Sequence, residues 1–508
     1  MADIEVPSPR LLSTGIEGLD DVLHNGLAAG GLYSIEGDTG AGKTTLCLQF
    51  LMAGREAGES GLIITLSESA RDLRAMAESH GWDLAGIDIL EVMASPESLT
   101  PEGHYTMFHP SEVELTETTR AILEGCSRLK PKRVVIDSVG ELRLLAQSPL
   151  RYRRQILALK HFFNTNDATV LMVDDPRSES QELAIASIAS GIITLERIAT
   201  EYGSFRRRIQ VLKMRGRTVR EGYHDCRIRR GGMDVFPRLV AAEHTTSYER
   251  ESIKSGLAAL DALLGGGLAR GTSSLFLGPA GTGKSSLAAQ YARAAAERGE
   301  HAAIFLFDES IATYVERSQG LGFDVKKLVD EGQVLLRQVD PAEMAPGEFA
   351  ATVRQTVETS DTRVVVIDSL TGYLNAMPSE KLLALHLHEL LTYLGGKGVT
   401  TIVLLAQHGL VAATSEAPID ASYLSDTVLL LRFFESHGEV CIAISVIKKR
   451  TGVHERTIRE LYFEHGAIVV GEPITDFVGV LTGAPRLAEK AELSSRRVRA
   501  DRRTQQRK

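Results

Sequence analysis

A glycine-rich pattern occurs twice in this sequence, once in each half. GDTGAGKTT spans residues 37–45 and GPAGTGKSS spans residues 278–286, so both read Gly-x-x-x-x-Gly-Lys-Ser/Thr. Their lysines, Lys43 and Lys284, lie 241 residues apart. A motif repeated at this distance within 508 residues indicates two structural units, a division that the length of the chain allows.

Four further segments recur in the same order in both halves. The pairs are STGIEGLDDVLHNGLAAG with KSGLAALDALLGGGLARG, LIITLSES with AAIFLFDES, RVVIDS with VVVIDS, and VLKMRG with VIKKRT. A fixed order of matching segments is not a chance event. We therefore predict two copies of one domain, at residues 10–235 and 248–480, followed by a basic tail at residues 481–508.

Each copy alternates short β-rich runs with longer helical patterns. LYSIEG precedes the first loop, and TTLCLQFLMAGREAG follows it with apolar residues at helical spacing. RVVIDS and ATVLMVD are continuously apolar, as strands are when both faces of a parallel sheet are covered. The prediction is an α/β fold in which a mainly parallel, twisted sheet is flanked by helices, formed twice in tandem.

The distribution of charge argues against nucleic acid as a partner. The chain carries −9 overall, but SSRRVRADRRTQQRK at residues 494–508 carries +6, which leaves −15 on the remainder. DNA binding depends heavily on neutralising phosphates, so an acidic body is a poor partner for it. We expect the tail to be a solvated, disordered end, with binding to an acidic partner or to nucleic acid as the alternative.

Three sequence features favour a cytoplasmic protein without membrane contact. No apolar run approaches the roughly 18 residues that span a bilayer. The start, MADIEVPSPR, lacks the pattern of a secretory signal. Cys47, Cys126, Cys226 and Cys441 form no CxxC pair and no zinc-ligand spacing, so we expect buried free thiols.

The two glycine-rich loops are predicted to bind the phosphates of ATP. Each follows a strand and opens a helix, a context that separates a P-loop from the alternative of a structural glycine-rich turn. Backbone N–H groups and the helix N-terminus would surround the phosphates, and Lys43 and Lys284 would reach the β- and γ-phosphates. The predicted nucleotide-binding residues are Gly37, Asp38, Thr39, Gly40, Ala41, Gly42, Lys43, Thr44, Thr45, Gly278, Pro279, Ala280, Gly281, Thr282, Gly283, Lys284, Ser285 and Ser286.

A Mg²⁺ site is predicted beside each loop. The hydroxyls of Thr44 and Ser285 stand at the loop position that ligates this ion. Asp137 and Asp368 end apolar strands, at the carboxyl edge where open α/β sheets bind ligands, and they fit the role of the second metal-side group. An aspartate that caps the next helix is the alternative.

Glu68 and Glu309 end the strand that follows the P-loop helix. A carboxylate at this edge can orient or deprotonate an attacking water or hydroxyl, so both are candidate catalytic residues. The alternative is a solvated or helix-capping glutamate.

A basic pair lies late in each copy, on strand-like segments. The residues are Lys213 with Arg215 and Lys448 with Arg450. Phosphoryl transfer commonly needs an added cation at the developing charge, sometimes from a neighbouring subunit. The alternative is solvated surface charge.

With these residues in hand, the chain resembles the KaiC family of RecA-like ATPases over residues 10–480. The segments that carry the resemblance are TGIEGLDDVLHNGL, the two P-loops, the strand-end acids, the VVIDS strands, KMRG and KKRTGVHERTIRE. The resemblance implies two RecA-like domains, a homo-hexameric double ring, and ATP between neighbouring subunits. Lys213, Arg215, Lys448 and Arg450 would then contact the γ-phosphate from the adjacent subunit.

The resemblance also implies different tasks for the two copies. The first would be chiefly an ATPase that holds the ring together, and the second a serine/threonine kinase that phosphorylates its own subunits. It further implies signalling or circadian-type regulation with a partner protein that no residue identifies.

The sequence departs from the family pattern in two places. The adjacent Glu–Glu pair of the family reads Ser67–Glu68 in the first copy and Asp308–Glu309 in the second, which makes Asp308 a candidate catalytic residue as well. The adjacent Ser–Thr acceptors of the family read Ser422–Tyr423. The Tyr423 hydroxyl lies farther from the backbone, so Ser422 is the candidate phospho-acceptor, with a packing role as the alternative.

Two other functions share the P-loop core. A DNA-repair ATPase of the RecA or RadA kind needs basic DNA-binding loops, and RadA-like chains begin with a four-cysteine zinc module, a spacing that does not occur here. A non-enzymatic scaffold would bind ATP only to join subunits, and Ser67 makes this credible for the first copy.

Overall fold

The computed structural model describes residues 10–92, 110–175, 187–200, 202–375, 383–407, 424–464, 466–482 and 486–487. The chain divides into two compact units, with Arg238 as the last residue of the first and Leu239 as the first residue of the second.

The first unit alternates strands and helices. Its strands are β1 (Leu11–Leu12), β2 (Leu27–Ala28), β3 (Leu32–Gly37), β4 (Gly61–Thr65), β5 (Ile87–Glu91), β6 (Arg133–Asp137), β7 (Thr169–Asp174), β8 (Gly191–Ile198), β9 (Arg206–Met214), β10 (Tyr223–Arg229) and β11 (Gly232–Phe236). Its helices are α1 (Glu17–Val22), α2 (Lys43–Glu56), α3 (Ala70–Ser79), α4 (Pro110–Leu129), α5 (Gly140–Ala146) and α6 (Pro149–Thr165).

The main sheet of the first unit has nine strands in the order β5-β4-β6-β7-β3-β8-β9-β10-β11. The strands from β5 to β8 are parallel, and β9, β10 and β11 continue the sheet as antiparallel neighbours. Every residue of β4, β6 and β7 is buried, because helices cover both faces of the parallel part.

The second unit repeats this arrangement. Its strands are β12 (Ser252–Ile253), β13 (Leu268–Ala269), β14 (Ser273–Gly278), β15 (His301–Leu306), β16 (Val334–Gln338), β17 (Thr362–Asp368), β18 (Thr400–Ala406), β19 (Thr427–Ser436), β20 (Glu439–Lys449), β21 (Arg459–Glu464), β22 (Ala467–Pro473), β23 (Phe477–Val478) and β24 (Arg486–Leu487). Its helices are α7 (Ala258–Leu263), α8 (Lys284–Glu297), α9 (Ile311–Gly320), α10 (Val325–Asp330), α11 (Pro346–Ser360), α12 (Leu370–Asn375) and α13 (Leu383–Gly396), with 3₁₀ turns at Ala241–His244 and Val480–Thr482.

The second main sheet has the order β16-β15-β17-β18-β14-β19-β20-β21-β22, which matches the first sheet strand for strand. The strands from β16 to β19 are again parallel, and β20, β21 and β22 are antiparallel. This confirms the predicted fold class of two tandem RecA-like α/β domains. In both units the strand that carries the P-loop lies inside the parallel part, with a neighbour on each side.

Alternate residues of the parallel strands pack into two separate cores, one on each face of the sheet. In β6, Val135 joins the cluster formed with α2 and α3, whereas Val134 joins the cluster formed with α4, α5 and α6. In β17, Val364 packs with α8 and α9, and Val365 packs with α11 and α13. Two covered faces hold the strand ends in fixed positions at the edge of each sheet.

The four cysteines are unpaired, and three of them, Cys47, Cys126 and Cys226, are buried as expected. Cys441 is only half-buried, because it lies next to the exposed start of β20. Among the residues that the structure describes, no helix is long and apolar enough to cross a bilayer. The basic segment at residues 494–508 lies outside the described residues.

Candidate functional site

Both P-loops join the end of a central strand to the start of a helix. In the first unit β3 ends at Gly37 and α2 begins at Lys43, and in the second unit β14 ends at Gly278 and α8 begins at Lys284. The first turn of each helix leaves its backbone N–H groups directed into the loop. Together with the positive end of the helix dipole, these donors form an anion-binding cradle.

The first glycine of each loop lies against a neighbouring strand. A Cβ atom at Gly37 would lie 2.1 Å from the carbonyl oxygen of Leu195 in β8. A Cβ atom at Gly278 would lie 2.5 Å from the carbonyl oxygen of Leu431 in β19. Both distances are shorter than any real contact, so only glycine lets the chain leave the strand at this point.

The loop lysines differ in their partners. Lys43 Nζ donates to the carbonyl oxygens of Gly37 at 2.6 Å and Asp38 at 3.1 Å, and it forms an ion pair with Asp175. Lys284 Nζ donates to the carbonyl oxygens of Gly278 at 2.8 Å and Pro279 at 2.6 Å.

The second lysine is the more isolated of the two. Within the described part of the chain, no carboxylate lies at ion-pair distance from Lys284. Burial lowers the pKa of the Lys284 amine to about 8, and the charge of Asp368 opposes this shift only partly.

The predicted metal-side residues meet in both units. Thr44 Oγ1 donates to Asp137 Oδ2 at 2.7 Å, although the two residues lie far apart in sequence. Ser285 lies close enough to Asp368 for its hydroxyl to lower the pKa of that carboxyl. The contacts form because β6 and β17 end at the same edge of the sheet as the loops.

Burial dominates the electrostatics of these two aspartates. It raises the pKa of Asp137, an effect that the Thr44 hydrogen bond and Lys43 reduce. It raises the pKa of Asp368 to about 6, again against the hydrogen bond from Ser285. A carboxylate with a raised pKa lacks compensation for its buried charge, which a bound cation would supply.

The residues at this edge fit Mg²⁺ held jointly by protein and nucleotide. Asp368 Oδ2 is buried without a hydrogen-bond partner among the described residues, as a metal-facing oxygen would be. No group of three or more His, Cys, Asp or Glu that could hold a metal alone occurs in the described segments. Mg²⁺ is commonly bound through one or two protein ligands, phosphate oxygens and waters, so one hydroxyl and one carboxylate suffice.

Glu68 lies in a tight turn after β4. Its N–H donates to Thr65 Oγ1 at 3.0 Å, and that hydroxyl donates back to the Glu68 carbonyl at 2.7 Å. Partial burial raises the pKa of the Glu68 carboxyl, and the charges of Asp137 and Asp72 raise it further. The turn therefore places a comparatively basic carboxylate next to the metal-side aspartate.

The two acids after β15 are each held by a side chain. Ser369 Oγ donates to Asp308 Oδ2, and a Cβ atom at Gly372 would lie 1.9 Å from Asp308 Oδ1, so this carboxylate packs directly against α12. Glu309 forms an ion pair with Arg317 of α9 at 2.8 Å. The structure thus places both candidate acids of the second unit in fixed hydrogen bonds.

The late basic pair of the first unit lies towards the amino ends of the parallel strands, whereas its own P-loop lies at their carboxyl ends. Lys213 pairs with Ile192, which lies beside Ser34 in β3. Gly37 follows Ser34 by three residues, about 10 Å along the strand. Arg215 lies still farther towards the amino ends of the parallel strands. Burial lowers the pKa of Lys213, and the nearby Arg215 adds to the effect.

The second unit shows the same separation. Lys448 pairs with Val428, which lies beside Leu275 in β14, three residues before Gly278. Arg450 follows Lys448 and forms an ion pair with Asp426. Neither late pair is brought to the P-loop of its own unit. Ser422, the candidate phospho-acceptor, lies outside the described residues.

Two charged residues at these sites were not found from the sequence. Asp175 follows β7 and pairs with the loop lysine Lys43. A sequence signal for it exists, because Asp175 ends the apolar run LMVDD in the same way that Asp137 ends the apolar run RVVID. Arg317 has no such signal, since it lies within α9, eight residues after Glu309.

Comparisons with known proteins agree with the repeat. The sequence model of the family described as "ATPase: KaiC" matches residues 12–240 and again residues 253–474. The circadian clock oscillator protein KaiC of Picosynechococcus sp. is 28% identical over 95% of this chain and 94% of its own length. The protein of the same name from Synechococcus elongatus is 26% identical, with the same coverage of both chains.

Proposed function

This chain belongs to the KaiC family of ATPases, and we propose that it is a Mg²⁺-dependent ATPase with one nucleotide site in each half. The observation that carries the proposal is the pairing of a loop hydroxyl with a strand-end aspartate beside both P-loops, at Thr44–Asp137 and Ser285–Asp368. Because the family matches over both halves, the alternative of a RecA- or RadA-type DNA-repair ATPase is not favoured.

Each proposed site divides the work between backbone and side chains. The loop N–H groups bind the β- and γ-phosphates, and Lys43 or Lys284 leaves its loop carbonyls to contact them. Thr44 with Asp137, and Ser285 with Asp368, hold the metal. Bound Mg²⁺ neutralises the charge that develops on the phosphates during transfer.

Glu68 and Glu309 are proposed to orient and deprotonate the attacking water. The raised pKa of Glu68 suits this role, since a stronger base accepts a proton more readily at neutral pH. Asp308 is the second candidate in the second unit, where it lies beside Glu309.

We further propose that the chain assembles as a homo-hexamer with ATP between subunits. The late basic pairs support this, because Lys213 and Arg215, like Lys448 and Arg450, lie at the edge of the sheet away from their own loop. Cations at this end of the strands lie away from the P-loop of their own unit, so the proposed γ-phosphate partner is on an adjacent copy of the chain. Measuring the molecular mass in solution with and without ATP and Mg²⁺ tests the hexamer, and a monomer at saturating ATP would refute it.

Phosphate release under saturating ATP and Mg²⁺ tests the ATPase. We expect steady turnover that falls in Lys43→Ala and in Lys284→Ala and is nearly lost in the double variant. The same assay with single-stranded DNA should show no stimulation. Absence of turnover would instead support the non-enzymatic scaffold.

The proposed serine/threonine autokinase activity of the second half rests on the family resemblance, on its complete P-loop and on Ser422, which keeps a hydroxyl at one of the two acceptor positions although Tyr423 replaces the other. Incubation with labelled ATP followed by mass spectrometry should find phosphate on Ser422, and Ser422→Ala should abolish the label. Unlabelled protein in the presence of steady phosphate release would leave the chain an ATPase without kinase activity.

A signalling or circadian-type role is proposed because the relatives are circadian clock oscillator proteins. It requires a partner protein, and the basic segment at residues 494–508 is the proposed docking element. Deletion of this segment should remove a partner from affinity purifications, and an unchanged set of partners would contradict the assignment.

A further inference from the structure

Arg317 engages both carboxylate oxygens of Glu309. Its Nη2 donates to Oε2 at 2.8 Å and its Nε donates to Oε1 at 3.2 Å. The third nitrogen, Nη1, donates at 3.3 Å to the hydroxyl of Ser286, which lies in the first turn of α8 directly after the P-loop. The guanidinium also lies 4.8 Å from the centre of the Tyr314 ring. One side chain thus links the candidate base to the phosphate-binding loop.

The first half of the chain has no counterpart of this arginine. The helices α3 and α9 both begin after a serine cap, Ser69 and Ser310, which the repeat offset places in register. The same offset puts Met76 at the position of Arg317, and Met76 packs against the apolar core of the first unit. Among the described residues, the Glu68 carboxylate has no ion pair.

We propose that Arg317 is a positioning residue that restrains Glu309 and slows ATP hydrolysis at the second site. The inference rests on the proposed ATPase activity of that site. Two parallel hydrogen bonds fix the direction of the carboxylate and hold it towards α9. We infer that Glu309 gives up one or both of these bonds when it meets a water in line with a bound γ-phosphate.

A purely structural role for Arg317 makes a different prediction. If the guanidinium only packs on Tyr314, its removal changes the stability of α9 and not the turnover of correctly folded protein. The contact with Glu309 matters to turnover only if Glu309 acts in the reaction. The two roles therefore separate in a background where Glu309 has already been replaced.

The test uses the full chain with Glu68→Gln, which silences the first site and keeps its loop intact. We measure kcat and KM for phosphate release in Arg317→Met, Arg317→Gln and Arg317→Lys. The ion pair is about 30% exposed on the arginine side, so solvent screens it. We expect kcat to rise about two- to fivefold in the Met and Gln variants, with KM changed less than about twofold. Arg317→Lys keeps the charge but cannot form both parallel bonds, so its kcat should lie between those of the parent and the Met variant.

Two matched experiments complete the design. In the Glu68→Gln, Glu309→Gln background, Arg317→Met should leave the low residual turnover unchanged, because the residue acts through Glu309. In the first half, Met76→Arg introduces the arginine beside Glu68. Measured with the second site silenced by Glu309→Gln, it should lower kcat about two- to fivefold.

Unchanged or lowered kcat in both Arg317→Met and Arg317→Gln would overturn the inference. So would an equal effect of Arg317→Met with and without Glu309, since the arginine would then act elsewhere. If the parent Glu68→Gln protein releases no phosphate from its second site, or if the Glu68→Gln, Glu309→Gln double variant keeps full turnover, the proposed function fails instead. The parent measurements therefore distinguish the two failures.

Discussion

Replacing Asp175 with asparagine should strengthen ATP binding at the first site. In the structure Lys43 is bound both to its loop carbonyls and to the Asp175 carboxylate. Lys43 must therefore break its ion pair with Asp175 before it can contact a γ-phosphate. The asparagine side chain has nearly the same shape and lacks the charge, so it removes the competitor and leaves the backbone of β7 undisturbed.

The magnitude follows from the exposure of the pair. The Lys43 side chain is 11% exposed, but the Asp175 side chain is 37% exposed, so water screens the attraction. Pairs exposed to this degree contribute about 0.2–1 kcal/mol. Releasing the lysine should therefore lower the Kd for ATP by at most about fivefold.

The assay measures ATP affinity by titration in the Lys284→Ala background, so that only the first site reports. Asp174→Asn is the matched control, because that neighbouring carboxylate is held by Arg143 at 2.7 Å and has no contact with Lys43 among the described atoms. It should not tighten binding.

The second site offers the reverse experiment. The strand register places Ala406 where the first unit has Asp175. Ala406→Asp, measured in the Lys43→Ala background, should weaken ATP binding by a similar factor. Weaker binding in Asp175→Asn would refute the reasoning, because it would mean that this carboxylate supports the nucleotide.

Three further predictions concern the metal side, protonation and stability. Thr44→Ala and Ser285→Ala should each lower Mg²⁺-dependent turnover at their own site by at least about tenfold, read from phosphate release against Mg²⁺ concentration. ATP binding to the second site should take up protons near and above pH 8, because burial lowers the pKa of Lys284 to about 8 and a triphosphate favours the charged amine. Calorimetry in buffers of different ionisation enthalpy measures this proton uptake. Well below pH 8 the amine is already charged before ATP binds, so the uptake should vanish. Arg133→Met should lower the free energy of unfolding by about 1–3 kcal/mol, as measured by urea denaturation, because it removes the buried partner of Glu59 and the donor to the carbonyls of Ser13 and Phe50, while Glu59 keeps its ion pair with the exposed Arg10.

Each of these has a result that contradicts it. Equal Mg²⁺ dependence in the parent and the hydroxyl variants would remove Thr44 and Ser285 from the metal site. No proton uptake at pH 8.5 would mean that the Lys284 amine is already charged there before ATP binds. A loss of less than about 1 kcal/mol in Arg133→Met would show that Arg10 and water compensate for the missing guanidinium.

Much of the fold could be predicted because its signals are local. The P-loop motif, the preceding apolar strand and the following helical pattern lie within a few tens of residues, and the repeat shows them twice. The meeting of Thr44 with Asp137 also follows from local signals, because parallel strands end at one edge and the loop leaves the same edge. No tertiary information beyond the parallel order was needed for it.

The position of the late basic pairs relative to the P-loops could not be predicted from local sequence patterns. Lys213 reaches the amino edge because β9 runs antiparallel to β8, with an irregular register between Ile192 and Ile193. Strand direction and register at such a point depend on packing across the sheet. The pairing of Arg317 with Glu309 likewise depends on the direction of a side chain on α9, which a spacing of eight residues does not specify.

The two sites have the same backbone architecture, but each has one additional charged residue in a different place. The first half adds a carboxylate, Asp175, on the lysine that binds phosphate, and leaves Glu68 without an ion pair among the described residues. The second half has alanine at the former position and adds a cation, Arg317, on the base. An acid on the lysine opposes binding, whereas a cation on the base opposes turnover. We therefore expect the second site to fill at lower ATP and to hold its nucleotide longer, while the first site turns over faster once filled. A chain with this asymmetry can keep its second site loaded while its first site consumes ATP, which identical sites cannot do.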